Sequence, residues 1–107
     1  GGSMEYKVIV TEDAETDMDR FINYLLFEKK NDQAASNLID DFEDTIITLT
    51  HVAESFKLCE NQHLMELGYR RINFKSHRYF MLYRVKDGTV YVDNVFHELQ
   101  DYENRMI

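Results

Sequence analysis

Tyr69–His97, YRRINFKSHRYFMLYRVKDGTVYVDNVFH, is the segment around which the rest of this 107-residue chain can be read. It holds three strand-like runs, with Asp87 and Gly88 between the last two. An Asp-Gly pair flanked by alternating apolar residues marks a tight hairpin, because both turn residues must accept positive φ. With that pair at the tip, Lys86 faces Thr89, Val85 faces Val90, Arg84 faces Tyr91 and Tyr83 faces Val92. The same register continues to Leu82 with Asp93, Met81 with Asn94, Phe80 with Val95, Tyr79 with Phe96 and Arg78 with His97.

Side chains alternate along a strand, so these pairs sort onto two faces. Tyr79, Met81, Tyr83, Val85, Val90, Val92, Asn94 and Phe96 form one face, almost wholly apolar, which is the expected core side; Ile72 and Phe74 join it from the preceding run. The second face carries Arg78, Phe80, Leu82, Arg84, Lys86, Tyr91, Asp93, Val95 and His97, together with Arg71, Asn73 and Lys75. An antiparallel sheet often has one wet side, so the bland reading of this face is a solvated surface. Chemistry, where present, is expected there.

The chain length fits one domain with a small core. Gly1-Gly2-Ser3 before Met4 reads as an expression scar, which leaves residues 4–107 as the domain. No apolar run is long enough to span a bilayer and no signal-peptide pattern is present, so the expectation is a soluble, cytoplasmic protein with no membrane partner. Cys59 is the single cysteine, consistent with a reducing compartment. Its C-x3-H spacing to His63 falls short of a zinc site, which needs four ligands, and no second Cys/His pair accompanies it.

The net charge of −8 is unevenly spread. Residues 1–66 carry 5 Lys/Arg against 15 Asp/Glu, and residues 67–107 carry 7 against 5. Arg70, Arg71, Lys75, Arg78, Arg84 and Lys86 fall within residues 69–86, which contain no acid. An acidic body with a basic sheet edge repels nucleic acid at long range yet can hold a phosphate locally. A generic nucleic-acid binder is basic overall, which weighs against free RNA or DNA as a lone partner.

Upstream, Glu5-Tyr6-Lys7-Val8-Ile9-Val10 alternates as a strand, and Thr11 is a natural N-cap followed by Glu12 and Asp13. Ala14, Met18, Phe21, Ile22 and Leu25 form one helical stripe running to about Lys30. Asn31-Asp32 breaks that pattern and caps a second helix, striped by Ala35, Leu38, Ile39, Phe42, Ile46 and Leu49. Its acidic residues Asp40, Asp41, Glu43 and Asp44 read as a solvated face. The short joint makes an antiparallel helical hairpin. Residues 52–68 show no sustained period and read as a long connection with some helical turn; residues 98–107 read as a short terminal helix or ordered tail. The fold class is therefore α+β: an N-terminal strand, a helical hairpin, then a three-stranded antiparallel run, with the helices on one sheet face and the other face open.

YKVIVTEDAETDMDRFINYL, QAASNLIDDFEDTIITL, GYRRINFKSHRYFMLYRV and VYVDNVFHELQDYENRM, in that order, resemble the RelE/ParE superfamily of toxins from type II toxin-antitoxin modules. The resemblance covers nearly the whole chain after Met4. It implies a compact toxin neutralised by a cognate antitoxin, with no cofactor and no metal. RelE-like members cut mRNA in the ribosomal A site, and ParE-like members poison DNA gyrase; a third possibility is an antitoxin-binding domain that has lost toxicity. Arg71 and Lys75 match the basic second-strand positions of RelE-like members in character. Phe80 stands where those members place an arginine after the tyrosine of a GYRLVY-like run, and Arg78 is offset by two residues.

Cleaving RNA through its own 2′-hydroxyl needs a proton acceptor, cations around the charged transition state and an acid for the leaving oxygen. On the nuclease reading, Arg71, Lys75 and Arg78 hold the scissile phosphate, His97 opposite Arg78 moves the proton, and Tyr102 or Tyr91 stacks a base. A lone histidine at a strand end is more often a packing or capping residue. A nuclease needs Arg71, Lys75, Arg78 and His97 to converge on one face. A gyrase poison needs none of them and relies on an exposed partner surface.

Overall fold

The computed structural model describes residues 5–100, 102 and 103. Gly1–Ser3, read above as a scar, and parts of the expected terminal helix (Asp101 and residues 104–107) lie outside the described residues. The order is β1 (Lys7–Val10), α1 (Glu12–Asn23), a π-helical turn (Tyr24–Glu28), α2 (Asp32–Val52), a 3-10 turn (Ala53–Ser55), α3 (Gln62–Glu66), β2 (Arg70–Asn73), β3 (Tyr79–Lys86) and β4 (Thr89–His97). The sheet order is β1-β4-β3-β2, with β1 parallel to β4 and the other pairs antiparallel.

The capping chemistry behaves as the sequence predicts. The Thr11 hydroxyl accepts the Ala14 N–H at 3.3 Å and donates to the Val92 carbonyl at 3.0 Å, so one residue both opens α1 and ties it to β4. Asn31 accepts the Ala34 N–H at 3.0 Å and opens α2. The π-helical turn lengthens the end of the first helix without ending its path, and the hairpin closes where Lys30 takes a positive φ. Among the described residues, no helix is long and apolar enough to cross a membrane.

The helices pack on one face of the sheet. Ala14, Met18, Leu38 and Leu49 meet Ile72, Phe74, Met81, Tyr83, Val90, Val92 and Val95 in the main core, with Val85 packed against it. Each fully buried large side chain contributes about 1.5–3 kcal/mol relative to exposure. Ile72, Phe74, Tyr83, Val85 and Val92 lie on the helical side, as the alternation predicts.

The structure corrects two expectations. The hairpin pairs as expected from Lys86 with Thr89 to Tyr83 with Val92, then shifts by one: Leu82 pairs with Asn94, Met81 with Val95, Phe80 with Phe96 and Tyr79 with His97. A bulge at Asp93 inserts one extra residue, and everything beyond it changes face. Val95 thus joins the main core, and Phe96 moves to the other side. The second face is not open where Phe80, Leu82 and Phe96 lie. Cys59 and Leu64 from the aperiodic connection bury them in a second small core, with Tyr69 and Tyr102 packed alongside.

Candidate functional site

The six clustered cations are dispersed by the fold. Arg70 donates to the carbonyl of Phe56 and pins the connection after α2. Arg84 makes a forked pair with Asp93, at 2.6 Å from Nε and 3.4 Å from a terminal nitrogen, with the rings of Tyr69 and Tyr91 5.8 and 5.4 Å from its guanidinium. The hydrogen bond to Asp93 pushes the Arg84 pKa up, so this cation is held charged and already neutralised. Lys86 sits at the hairpin end, on the last rung of β3. Arg71, Lys75 and Arg78 remain.

Those three do not share a site. A cleft of about 880 Å³ along β2 is lined by Arg71, Lys75, His77 and Tyr102, with Asp44 and Thr48 of α2 on one wall and Lys57, Cys59 and Glu60 on another. A second cleft of about 1080 Å³ lies between the helical hairpin and the ends of β3 and β4. Arg78 and His97 line it, with Arg20, Phe21, Tyr24, Lys29 and Leu38. The turn joining β2 to β3 separates the two: Lys75 and His77 face one cleft, Ser76 and Arg78 the other. Phe74 is fully buried beneath that turn, which closes through His77 N–H to Phe74 carbonyl at 2.8 Å with His77 at φ 61°.

In the β2 cleft, the Arg71 guanidinium carbon lies 3.7 Å from the centre of the Phe80 ring and 5.7 Å from that of Tyr102. Arg71 also donates to Asn73 at 3.0 Å. A cation stacked on a ring is held flat, with its edge free to meet an anion or a carbonyl. Tyr102 rests edge-on against Phe80 at 5.0 Å and beside Phe96 at 5.7 Å. Burial pushes its phenol pKa up, and the Arg71 hydrogen bond pulls the other way. Burial likewise raises the Cys59 thiol, again opposed by Arg71.

In the second cleft, His97 packs edge-on against Tyr79 with ring centres 5.0 Å apart. The expected pairing of His97 with Arg78 does not occur, because the bulge moves His97 one position along. Nδ1 of His97 accepts the Leu99 N–H at 3.2 Å, and the His97 N–H donates to the Gln100 side chain at 2.9 Å. Tyr91 lies outside both clefts, beside Arg84. Of the five proposed site residues, Arg71, Lys75 and Tyr102 come together in one cleft and Arg78 and His97 in the other.

Two features escaped the sequence reading. His77 lines the β2 cleft beside Lys75, and nothing in its neighbourhood signals a positive φ or that direction. Asp17 is buried on α1, and it had a signal: it falls three residues after Ala14 and beside Met18, on the apolar arc of a helix whose other acids face solvent. Among the described residues, no three His, Cys, Asp or Glu side chains are grouped to hold a metal ion.

A family model described as the ParE toxin of the type II toxin-antitoxin system parDE matches residues 8–102. Among solved structures, the chain is similar to the chromosomal ParDE toxin-antitoxin system from P. aeruginosa, with a TM-score of 0.69 and 17% identity over 89% of this chain and 98% of that one. It is also similar to the toxin-antitoxin complex RelBE2 from Mycobacterium tuberculosis, with a TM-score of 0.61 and 19% identity over 92% and 98% of the two chains. No curated protein gives a significant sequence match. At these identities the structural likeness speaks for the fold.

Proposed function

The chain belongs to the ParE toxin family of type II toxin-antitoxin systems, and from that premise we propose that it poisons its target by binding, with DNA gyrase as that target, and does not cut RNA. The observation that carries this reading is the division of Arg71, Lys75 and Tyr102 from Arg78 and His97 between two clefts that share no lining residue. Strand scission through a 2′-hydroxyl needs its cations and proton-transfer groups around one phosphate. Here the pair expected to hold the phosphate, Arg71 and Lys75, and the expected histidine, His97, line clefts on opposite sides of the β2–β3 turn.

A second reading keeps the nuclease. It is supported by Arg71, Lys75, His77 and Tyr102 lining one cleft, which would use His77, and not His97, as the proton-transfer group. In either case the partner within the module is an antitoxin, in keeping with the toxin-antitoxin assemblies to which the fold is similar. The sheet face expected to be open is not free to receive it at Phe80, Leu82 and Val95, which are 1%, 0% and 0% exposed.

The deciding experiment runs the purified chain in two assays side by side, gyrase supercoiling and ribosome-dependent mRNA cleavage. Inhibition of supercoiling without cleavage is the expected result. Cleavage by the wild type with unaffected gyrase would overturn the binding reading.

A further inference from the structure

We propose, resting on the toxin-antitoxin reading above, that the cleft lined by Arg78 and His97 is the docking groove of the antitoxin, and that the segment seated there is acidic with apolar anchors. Along the sheet face first expected to be open, Cys59 and Leu64 bury Phe80, Leu82 and Phe96. The cleft, in contrast, keeps large apolar side chains within reach of a partner. Tyr24 on the helical hairpin is 49% exposed and Leu99 beyond β4 is 85% exposed, and both line it. Half-buried Phe21 and Leu25 extend the same lining.

Charge selects an acidic partner. Arg20, Lys29 and Arg78 line the cleft, are exposed, and take part in no salt bridge among the described residues. Of the two acids in the lining, Asp17 is 6% exposed and commits its carboxylate to Val95 and Asn94, which leaves Asp41 as the opposing acid. The β2 cleft is different, because Lys57, Arg71 and Lys75 share its lining with Asp44, Glu60 and Glu103. On a chain of net charge −8, three such cations in one groove are a local exception. Two of them are arginines, whose planar fork matches a carboxylate with two hydrogen bonds.

The Lys29 ammonium lies 5.7 Å from the centre of the Tyr24 ring, so charge and apolar anchor stand side by side. A segment with carboxylates next to apolar side chains answers both at once. At about 1080 Å³ the cleft lies just above the usual range for small ligands, about 300–1,000 Å³, and admits a stretch of polypeptide. The π-helical turn Tyr24–Glu28 supplies Tyr24 and Leu25 to one wall, and such turns are rare and frequent at functional sites. A segment seated there covers Tyr24 and Leu99 and leaves the β2 cleft open.

The test titrates the purified products of the two genes flanking this one into the full chain by calorimetry, and maps the contact on the wild type by hydrogen exchange. Binding of one product is expected, with protection around Arg20, Tyr24, Arg78 and Leu99. R20E/R78E should bind about tenfold or more weakly at low salt, with a deficit that shrinks as salt is raised. K57E/K75E changes the net charge equally but lies in the β2 cleft, and should stay within about threefold of wild type. Y24A, which removes an anchor and no charge, should weaken binding about tenfold or more at any salt. Binding with protection confined to other surfaces would overturn the groove and leave the toxin-antitoxin reading standing, as would R20E/R78E binding no more weakly than K57E/K75E. Absence of binding to either product would instead defeat that reading, and the groove with it.

Discussion

The carboxylate of Asp17 on α1 accepts the backbone N–H of Val95 on β4 at 3.0 Å. β1 stops pairing at Val10 with Val92, so beyond that point β4 has no strand on its outer side. Asp17 supplies the acceptor that the next residue of β1 would have supplied, and also takes the Asn94 side-chain N–H at 3.3 Å. The bulge at Asp93 and the grip of Asp17 act together: one turns β4 over, and the other fixes the turned portion against the helix. Their joint product is the position of His97 against Tyr79.

Replacing Asp17 should therefore be costly. The residue is 6% exposed, and Asp17→Ala leaves a buried backbone N–H without its acceptor. The expected loss is about 1–3 kcal/mol, read as a lower urea midpoint with an unchanged slope. Asp17→Asn keeps one acceptor oxygen and should fall between alanine and wild type. A wild-type midpoint for Asp17→Ala would show that water satisfies the Val95 amide.

Tyr83 offers an alkaline signature. It is fully buried, its hydroxyl donates to the Ala53 carbonyl at 2.6 Å, and burial pushes its pKa well above the ordinary tyrosine value. A phenol held neutral in the fold binds a proton that the unfolded chain has lost, so its contribution is complete below the unfolded value of about 10 and declines as pH rises past it. Stability should fall steeply above about pH 10, with Tyr69, Tyr79 and Tyr102 adding to the trend through their own raised values. Tyr83→Phe should flatten that limb while costing about 1 kcal/mol at neutral pH for the lost hydrogen bond. Equal alkaline slopes in the two proteins would remove Tyr83 from the account.

The success and failure of the sequence reading have the same physical origin. Local signals carried the hairpin tip at Asp87-Gly88, the caps at Thr11 and Asn31, and the burial of Ile72, Phe74, Tyr83 and Val92, because turn chemistry and periodicity are written within a few residues. The bulge is not local: it sits in the pairing of two strands, and the residue beyond it, Val95, donates to Asp17, far away in sequence. One unpaired residue then moved Val95, Phe96 and His97 to the faces opposite those expected. The covering of Phe80 and Leu82 was illegible for another reason. Cys59 and Leu64 come from a stretch without period, whose role appears only once it folds over the sheet. The expected pairing of Arg78 with His97 inherited the error of register.

Cys59 should behave as an inert thiol. It is 5% exposed and burial raises its pKa, so little thiolate is present at neutral pH and access is poor. Reaction with a thiol-specific disulfide reagent at pH 7.5 should be at least about tenfold slower than for the unfolded chain. Arg71→Ala removes the cation that opposes this rise and should slow the reaction further. A faster reaction in that variant would mean that Arg71 acts on Cys59 mainly as a steric cover.

The separation of the clefts gives the sharpest functional prediction, because the two readings of this toxin require opposite outcomes from one set of variants. If toxicity comes from binding gyrase, alanine at Arg71, Lys75, Arg78, His97 or Tyr102 removes at most a peripheral contact, and inhibition of supercoiling should persist within several-fold. Loss of a transition-state contact in a nuclease typically costs about a hundredfold or more in rate, so the nuclease reading predicts collapse of mRNA cleavage for the members of one cleft. Arg71→Ala and Arg78→Ala, on opposite sides of the β2–β3 turn, should combine additively to within about 0.5 kcal/mol in whichever activity is measured. Arg71 and Tyr102 share a cleft and pack against the same Phe80 ring, so the effects of Arg71→Ala and Tyr102→Ala should couple. Each variant is first checked for its wild-type fold by circular dichroism. Strong coupling between Arg71 and Arg78 would mean that a single bound phosphate bridges the turn, and would restore the one-site nuclease that the present geometry divides.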